Sequence, residues 1–451
     1  MDGMTDQIAS PTLTTGVAAP EYDWDSYGFD TRQVHAGEYD ELTYGARVSP
    51  VYLSAAYRFD SFRQAKNRFS GEEAGQLYSR NLNPTNQVAE HRIASLEGGA
   101  GALVVGSGQA AVTSALLGLA GAGDRIVSAA SIYSGTRLLF ERTLSRLGVT
   151  VDYVWSPSDE SEWDALITPD TRALFVETIP NPKNDIIDLD VISRVASRHG
   201  IPLVVDNTIA TPYLIRPIEH GANIVVHSAT KFLTGHGTTV SGVIIDAGNF
   251  DWEGTSRPYP ALTATPVAGH RSLVEAFGPR AFEMHVRLGV ANDTGPALSP
   301  LAGFLLHQGI ETLSLRVQRH LDNAHRIATW LSRHPDVESV DYAGLDGHPL
   351  KPLADRDYRG TPGSVFSFTI AGGAVAAERF FDALRVFSRM TNIGDTRSMA
   401  LHPATTTHLG FTQEMRDRLG IADGLIRLSV GIEDVADLLA DLDQAIAVAR
   451  R

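Results

Sequence analysis

The 451-residue sequence contains no cysteine. That absence excludes disulfide staples, thiolate nucleophiles, iron–sulfur ligation and Cys-ligated zinc together. Basic residues are in deficit as well: 38 Lys plus Arg stand against 53 Asp plus Glu, a formal net charge of -15. So acidic a chain has no electropositive footprint for nucleic acid or an anionic membrane surface. No apolar run approaches the ~18 residues needed to cross a bilayer. The opening stretch MDGMTDQIASPTLTTG lacks both the basic n-region and the apolar h-region of a secretory signal. The expected location is cytoplasmic, with no nucleic-acid or membrane partner. An anionic small ligand stays open, because a site can be locally positive inside an acidic protein.

What is present is the composition of a soluble globular protein, 43% hydrophobic and 20% charged. The length exceeds what one simple core accommodates and predicts two or three domains. Residues 1–30, rich in Asp, Thr, Pro and Gly, read as a flexible tail. Residues 31–80 carry isolated aromatics without a core of their own and read as an arm packing on another part of the protein. From there the pattern changes. Short apolar strands (GALVVG, DRIVSAA, RALFVET, IPLVVDN, NIVVHS, VSGVIID) alternate with helical stretches. Such runs indicate a buried, mostly parallel sheet, hence an α/β domain over 81–298. The stretch SPLAGFLLHQGIETLSLRVQRHLDNAHRIATWLSRHP reads as long amphipathic helix bridging to a smaller α+β domain over 299–451.

In a parallel α/β sheet, ligands sit beyond the carboxyl ends of the strands. There the sequence places Gly106, Ser107, Gly108 and Gln109, then Tyr133, Glu177 with Asn181, Asp206, and finally Ser228, Thr230 and Lys231. Gly106-Ser-Gly108-Gln-Ala-Ala111 fits G-x-G-x-x-A, which raises a dinucleotide-binding domain. That reading wants an acid at the end of the next strand, and RIVSAAS ends in alanine and serine. Anion binding survives, since backbone N–H groups at a helix start suit any phosphate. Lys231 alone reads as a solvated lysine, and Asp206 alone as a strand-end cap. Together with a stacking aromatic and a phosphate-binding turn, they are the parts that pyridoxal phosphate requires. An amine holds the cofactor covalently, and a carboxylate keeps the ring nitrogen protonated.

The segments YSRNLNPT, SGQAA, ETIPNP, VVDNTIATP, HSATKFLTGHG and LIRLSVGIE resemble the Cys/Met metabolism family of pyridoxal phosphate enzymes, which has the aspartate aminotransferase-type fold I. FGPRAFEMHVRLGVANDTGPALSP, GIETLSLR and NIGDTRS…HPATTTH look like its O-acetylhomoserine sulfhydrylase branch. The resemblance implies γ-replacement of acetate by sulfide to give homocysteine, for methionine biosynthesis. It makes Lys231 the cofactor-bearing lysine, Asp206 the partner of the ring nitrogen and Tyr133 the aromatic over the ring, with a possible share in proton transfer. Gly108 and Gln109 would offer backbone N–H groups to the phosphate, Ser228 and Thr230 hydroxyls, and Asn181 would approach the phenolic oxygen. Tyr78 and Arg80 match a pair that reaches the phosphate of a neighbouring subunit, so the arm implies at least a dimer; the family usually forms tetramers. Arg427 matches the arginine that grips the substrate carboxylate, and Asn392 and Arg397 are substrate-side candidates. Arg397 stands where cystathionine-forming and cystathionine-cleaving relatives commonly have glutamate, which would favour an anionic nucleophile or leaving group.

No metal is expected: His402 and His408 have no acidic ligands around them in sequence, and nothing raises His227 or His236 above a structural role. The rivals are O-succinylhomoserine sulfhydrylase, cystathionine γ-synthase or a methionine γ-lyase on the same cofactor residues. More distant are a dinucleotide-dependent oxidoreductase and a non-catalytic scaffold.

Overall fold

The computed structural model describes residues 23–39, 43–265 and 271–450. The tail expected over 1–30 falls mostly outside them. Of its last residues, Phe29 already begins a helix, Phe29–His35.

Seven strands form the first sheet: β1 (Gly101–Val105), β2 (Arg125–Ala129), β3 (Thr150–Val154), β4 (Thr171–Glu177), β5 (Leu203–Asp206), β6 (Ile224–His227) and β7 (Gly242–Asp246). Their order is β1-β7-β6-β5-β4-β2-β3. The four pairs from β6 through β3 are parallel, and β7 runs antiparallel to both its neighbours. Strands buried on both faces need apolar residues at every position, which is why these segments read as unbroken Val/Ile/Leu runs rather than as alternations. The second sheet has five strands: β8 (Val337–Asp341), β9 (Val365–Ile370), β10 (Ser388–Arg389), β11 (Met399–Leu401) and β12 (Leu425–Ser429). Ordered β10-β11-β12-β9-β8, it is antiparallel except at β10–β11. Helices Gly373–Ala383 and Val435–Ala449 share its apolar core. Among the described residues, no helix is long and apolar enough to cross a membrane.

The long helix expected near residue 300 is two helices, α1 (Pro300–Ile310) and α2 (Leu313–Leu331). Arg316 accounts for the break. Its buried guanidinium donates to the Gly309 carbonyl at 2.6 Å, to Thr312 Oγ1 at 3.1 Å and to the Phe232 carbonyl at 2.8 Å. It thereby satisfies a carbonyl that the end of α1 leaves free and ties α1 to the turn that follows Lys231. Helix α2 contributes to both cores. Leu313, Val317 and Leu321 of α2 enter the first core, while Ala324, Ile327, Ala328 and Leu331 enter the second. The first core thus continues past residue 298.

Gly309 faces the same turn, and a Cβ built there would stand 2.7 Å from the Leu233 carbonyl oxygen and closer still to that of Thr234. Backbone oxygens cannot swing aside as side chains can. Gly309→Ala should therefore lower stability by about 1–3 kcal/mol, read from urea unfolding midpoints at constant m-value.

Candidate active site

Three adjacent parallel strands end side by side at one cavity. The register pairs Glu177 of β4 with Asp206 of β5, and Asp206 with Val226 of β6. Asp206 therefore sits between Glu177 on one flank and the Ser228–Lys231 turn on the other. The cavity measures about 290 Å³. Its wall includes Gly108, Gln109, Tyr133, Asn181 and Asp206, together with Ser228, Thr230, Lys231 and Arg427. Nine residues singled out along 320 positions of sequence thus meet in one place. Asn392 joins them, its Oδ1 accepting a hydrogen bond from Lys231 Nζ.

Each side chain is held for a local reason. Helix Gly108–Leu117 starts where β1 turns over, and Ser107 caps it by accepting the Ala110 N–H at 3.0 Å. The first turn of such a helix presents unpaired N–H groups. A Cβ on Gly108 would lie 2.5 Å from Ser228 Cβ, so glycine lets this helix start close against the end of β6. After Lys231, Gly235 and Gly237 adopt left-handed φ of +76° and +65°, the backbone region that glycine populates without strain. Asp206 Oδ1 receives both the Thr208 hydroxyl at 2.5 Å and the Thr208 N–H at 2.9 Å, and Thr208 Oγ1 accepts the Ser228 N–H at 2.8 Å. Thr208 links the carboxylate strand to the lysine turn. Sequence reading gave it no role, although the Asp-x-Thr spacing of an Asx turn is visible in DNT.

The charges are perturbed. Burial, reinforced by the Arg427 charge, draws the Lys231 ammonium down to about 8. Burial draws Arg427 down to about 10. It pushes Asp206 up, against the pull of the Thr208 hydrogen bond and the nearby His227. Glu177 is pushed up further, by burial and then by the charge of Asp206. The Arg427 guanidinium donates to Asn181 Oδ1 at 3.3 Å and to the carbonyls of Thr391 and Asn392 at 3.1 and 3.0 Å, and its buried Nε is left unpaired. Asn181 thus meets Arg427. The Thr230 hydroxyl is engaged in both directions by the backbone of Ser241.

Three expected residues stand apart from the cavity. Tyr78 is 46% exposed, with the Arg80 guanidinium 5.3 Å over its ring. Arg397 is at the surface, paired with Asp395 at 3.4 Å. His402 bonds Thr405 and the Asp423 carbonyl, and buried His408 packs edge-on against Phe411. His227 bonds Glu97 at 2.6 Å with both side chains fully buried, and His236 bonds the Thr234 carbonyl.

The sequence profile of the family described as Cys/Met metabolism PLP-dependent enzyme matches residues 30–447. The chain belongs to that family. It is 46% identical over 434 residues to the O-acetyl-L-homoserine sulfhydrylase of Corynebacterium glutamicum, covering 95% of this chain and 99% of that one. It is 44% identical to O-acetyl-L-homoserine sulfhydrylase 1 of Thermus thermophilus, over 93% of this chain and all of that one. With the homocysteine synthase of Schizosaccharomyces pombe the identity is 42%, over 94% and 99% of the two chains. A crystal structure from Campylobacter jejuni that carries N′-pyridoxyl-lysine-5′-monophosphate superposes with a TM-score of 0.89 at 34% identity, over 93% of this chain and all of that one. In this Cys/Met metabolism enzyme the cofactor is pyridoxal phosphate.

Amines attack aldehydes in their neutral form, and Lys231 is neutral above about 8. Uptake of pyridoxal phosphate by the cofactor-free protein should therefore slow by about tenfold per pH unit below that point and level off above it. Stopped-flow absorbance across the pH range checks this; a profile still rising toward the ordinary lysine range contradicts it.

Proposed function

We propose that the protein replaces the γ-acetoxy group of O-acetylhomoserine with sulfide, releasing acetate and forming homocysteine. The carbon–oxygen bond to acetate breaks, a carbon–sulfur bond forms at the same carbon, and one sulfide proton leaves with the products. The observation that carries the amino-acid chemistry is the meeting of a half-buried amine, Lys231, and a buried guanidinium, Arg427, in one cavity. The choice of an acetyl ester and sulfide rests on the activities named for the C. glutamicum and T. thermophilus relatives.

The cavity suits pyridoxal phosphate on its own terms. Lys231 Nζ would hold the aldehyde carbon, and Asp206 the ring nitrogen. The Gly108 and Gln109 N–H groups and the Ser228 hydroxyl would face the phosphate, with Tyr133 over the ring. The Thr230 hydroxyl, already paired with Ser241, would support that turn while holding less of the phosphate itself. When bound, the cofactor supplies an electron-withdrawing ring that stabilises negative charge on the substrate's α-carbon.

The chain's own groups do the rest. Arg427 grips the substrate carboxylate, for which a planar fork is suited; Asn181 and the Thr391–Asn392 carbonyls aim it. Lys231 Nζ takes the α-proton, and its lowered proton affinity leaves it a competent base near neutral pH. Asn392, which accepts from that amine, holds it beside Arg427. Tyr133, over the ring, would share in proton transfer. Arg397 is left without a part in this arrangement.

Assembly is part of the proposal. Helix Phe62–Ser70 has no buried residue, and Tyr44, Leu53, Phe62 and Phe69 are 92, 73, 89 and 76% exposed. That much apolar surface on an arm supports its packing on a second copy, to whose phosphate Tyr78 and Arg80 would reach. A dimer, and from it a tetramer, is the expected state, and the cytoplasm the expected location.

Purified protein with O-acetylhomoserine and sulfide should yield homocysteine and acetate in equal amounts. Preference for the succinyl ester or for cysteine, or α-keto acid and ammonia formed without thiol, contradicts the reading. Arg427→Lys should raise the KM for the amino acid by about 10–100-fold with a smaller change in kcat.

A further inference from the structure

The sheet sets beside Asp206 a second carboxyl group that the proposed chemistry leaves unused. Glu177 ends β4 opposite Asp206 in the parallel register, lines the same cavity and is 5% exposed. Its Oε1 accepts the Tyr133 N–H at 2.7 Å. Tyr133 is the residue just before helix Ser134–Leu138, and its own side chain caps nothing there. Its ring packs over Gly135, where an added Cβ would stand 2.8 Å from the ring's Cζ. The bond to Glu177 therefore ties the loop that carries this aromatic to the strand end that carries Asp206.

Charge decides the form in which Glu177 acts. Two ionised carboxylates on neighbouring strand ends, shielded from water, repel strongly. Asp206 has the Thr208 hydroxyl and N–H as donors and His227 nearby to favour its charge. The charge that acts on Glu177 is that of Asp206, and it opposes ionisation.

We infer that Glu177 is a positioning residue: a neutral carboxylic acid that fixes the Tyr133 loop against the Asp206 strand end and leaves the negative charge on Asp206. This inference rests on the pyridoxal phosphate reading of the cavity.

The experiment compares the wild type with Glu177→Gln and Glu177→Leu, each as full-length protein reconstituted with pyridoxal phosphate. The readouts are the dissociation constant of the cofactor and the visible circular dichroism of its bound form, which reports how rigidly the ring is held. Leucine removes the acceptor and should weaken cofactor binding by about tenfold, the worth of one buried hydrogen bond, with reduced dichroism. Glutamine keeps an acceptor oxygen without charge and should return affinity to within about threefold of wild type. The bound-cofactor absorbance of Glu177→Gln should also follow the wild-type pH titration between about pH 6 and 9, since no charge has been removed.

Wild-type affinity and dichroism in Glu177→Leu would mean that Glu177 positions nothing. A Glu177→Gln titration displaced by about a unit or more would mean that the native residue carries charge, and that variant decides the matter even if Glu177→Leu does not fold. A wild type with no lysine-bound absorbance overturns the cofactor reading and this inference together, whereas a normal wild-type spectrum beside either of the other outcomes overturns the inference alone.

Discussion

Lys231, Arg427, Asp206 and Glu177 surround one cavity of about 290 Å³, and removing an ion from water costs several kcal/mol unless partners meet it. The surrounding structure answers that cost group by group. Lys231 responds by giving up its proton more readily, and Glu177 by keeping its own. Arg427 stays charged but spends two of its nitrogens on Asn181 and on the 391–392 backbone. Asp206 takes two donors from Thr208. The result is a site with a weak base at one point and a fixed pair of opposite charges at others, which is what proton movement next to a carboxylate-bearing substrate demands.

The layer behind the cavity is polar for the same reason. His227, at the end of β6, bonds Glu97 at the end of helix Pro84–Glu97, and Asn207 donates to the same carboxylate at 2.9 Å. The residue after Asp206 and the residue before Ser228 are thereby anchored to one buried acid. On the other side, Arg316 holds the backbone of Phe232 and Leu233 just beyond Lys231. Among the described residues its guanidinium donates to carbonyls and a hydroxyl, and burial lowers its proton affinity to about 10. Lys231 is thus placed by two clamps on its flanking backbone, which leaves its side chain free to change partners.

Much of this was legible from residue order. Apolar runs ending in Glu177, Asp206 and His227 located the strand ends, because a buried parallel strand needs apolar residues throughout and a polar residue marks its exit. The parallel topology then brings those exits together. Glu177 was visible in that list, yet its use depends on Tyr133, 44 residues away, donating a backbone N–H that no side-chain pattern encodes. The two-helix break at Glu311–Thr312 was illegible for a related reason: the apolar spacing runs through it unbroken, and only the contact between Gly309 and the Lys231 turn, together with Arg316, forces the chain to bend. Arg397 shows the converse. Its family position drew attention, but its side chain lies largely in water, beside Asp395.

The overall charge of -15 gives little hint of an anion site, and the local geometry explains why it need not. The helix start at Gly108 and Gln109 offers unpaired N–H groups and the positive end of a ten-residue helix dipole. Arg427 offers a formal positive charge elsewhere on the same wall. A ligand with one anionic group would meet one of them; a cofactor phosphate and a substrate carboxylate, present together, would meet both. Asp206 has two Thr208 donors and the nearby His227 to favour its negative charge, whereas Glu177 has the Tyr133 N–H alone and faces the charge of Asp206, so a cationic ring nitrogen would be drawn to Asp206. Under the proposed chemistry, orientation of the bound pair would follow from the sign of charge at three points, which burial isolates from the surface field of a strongly acidic protein.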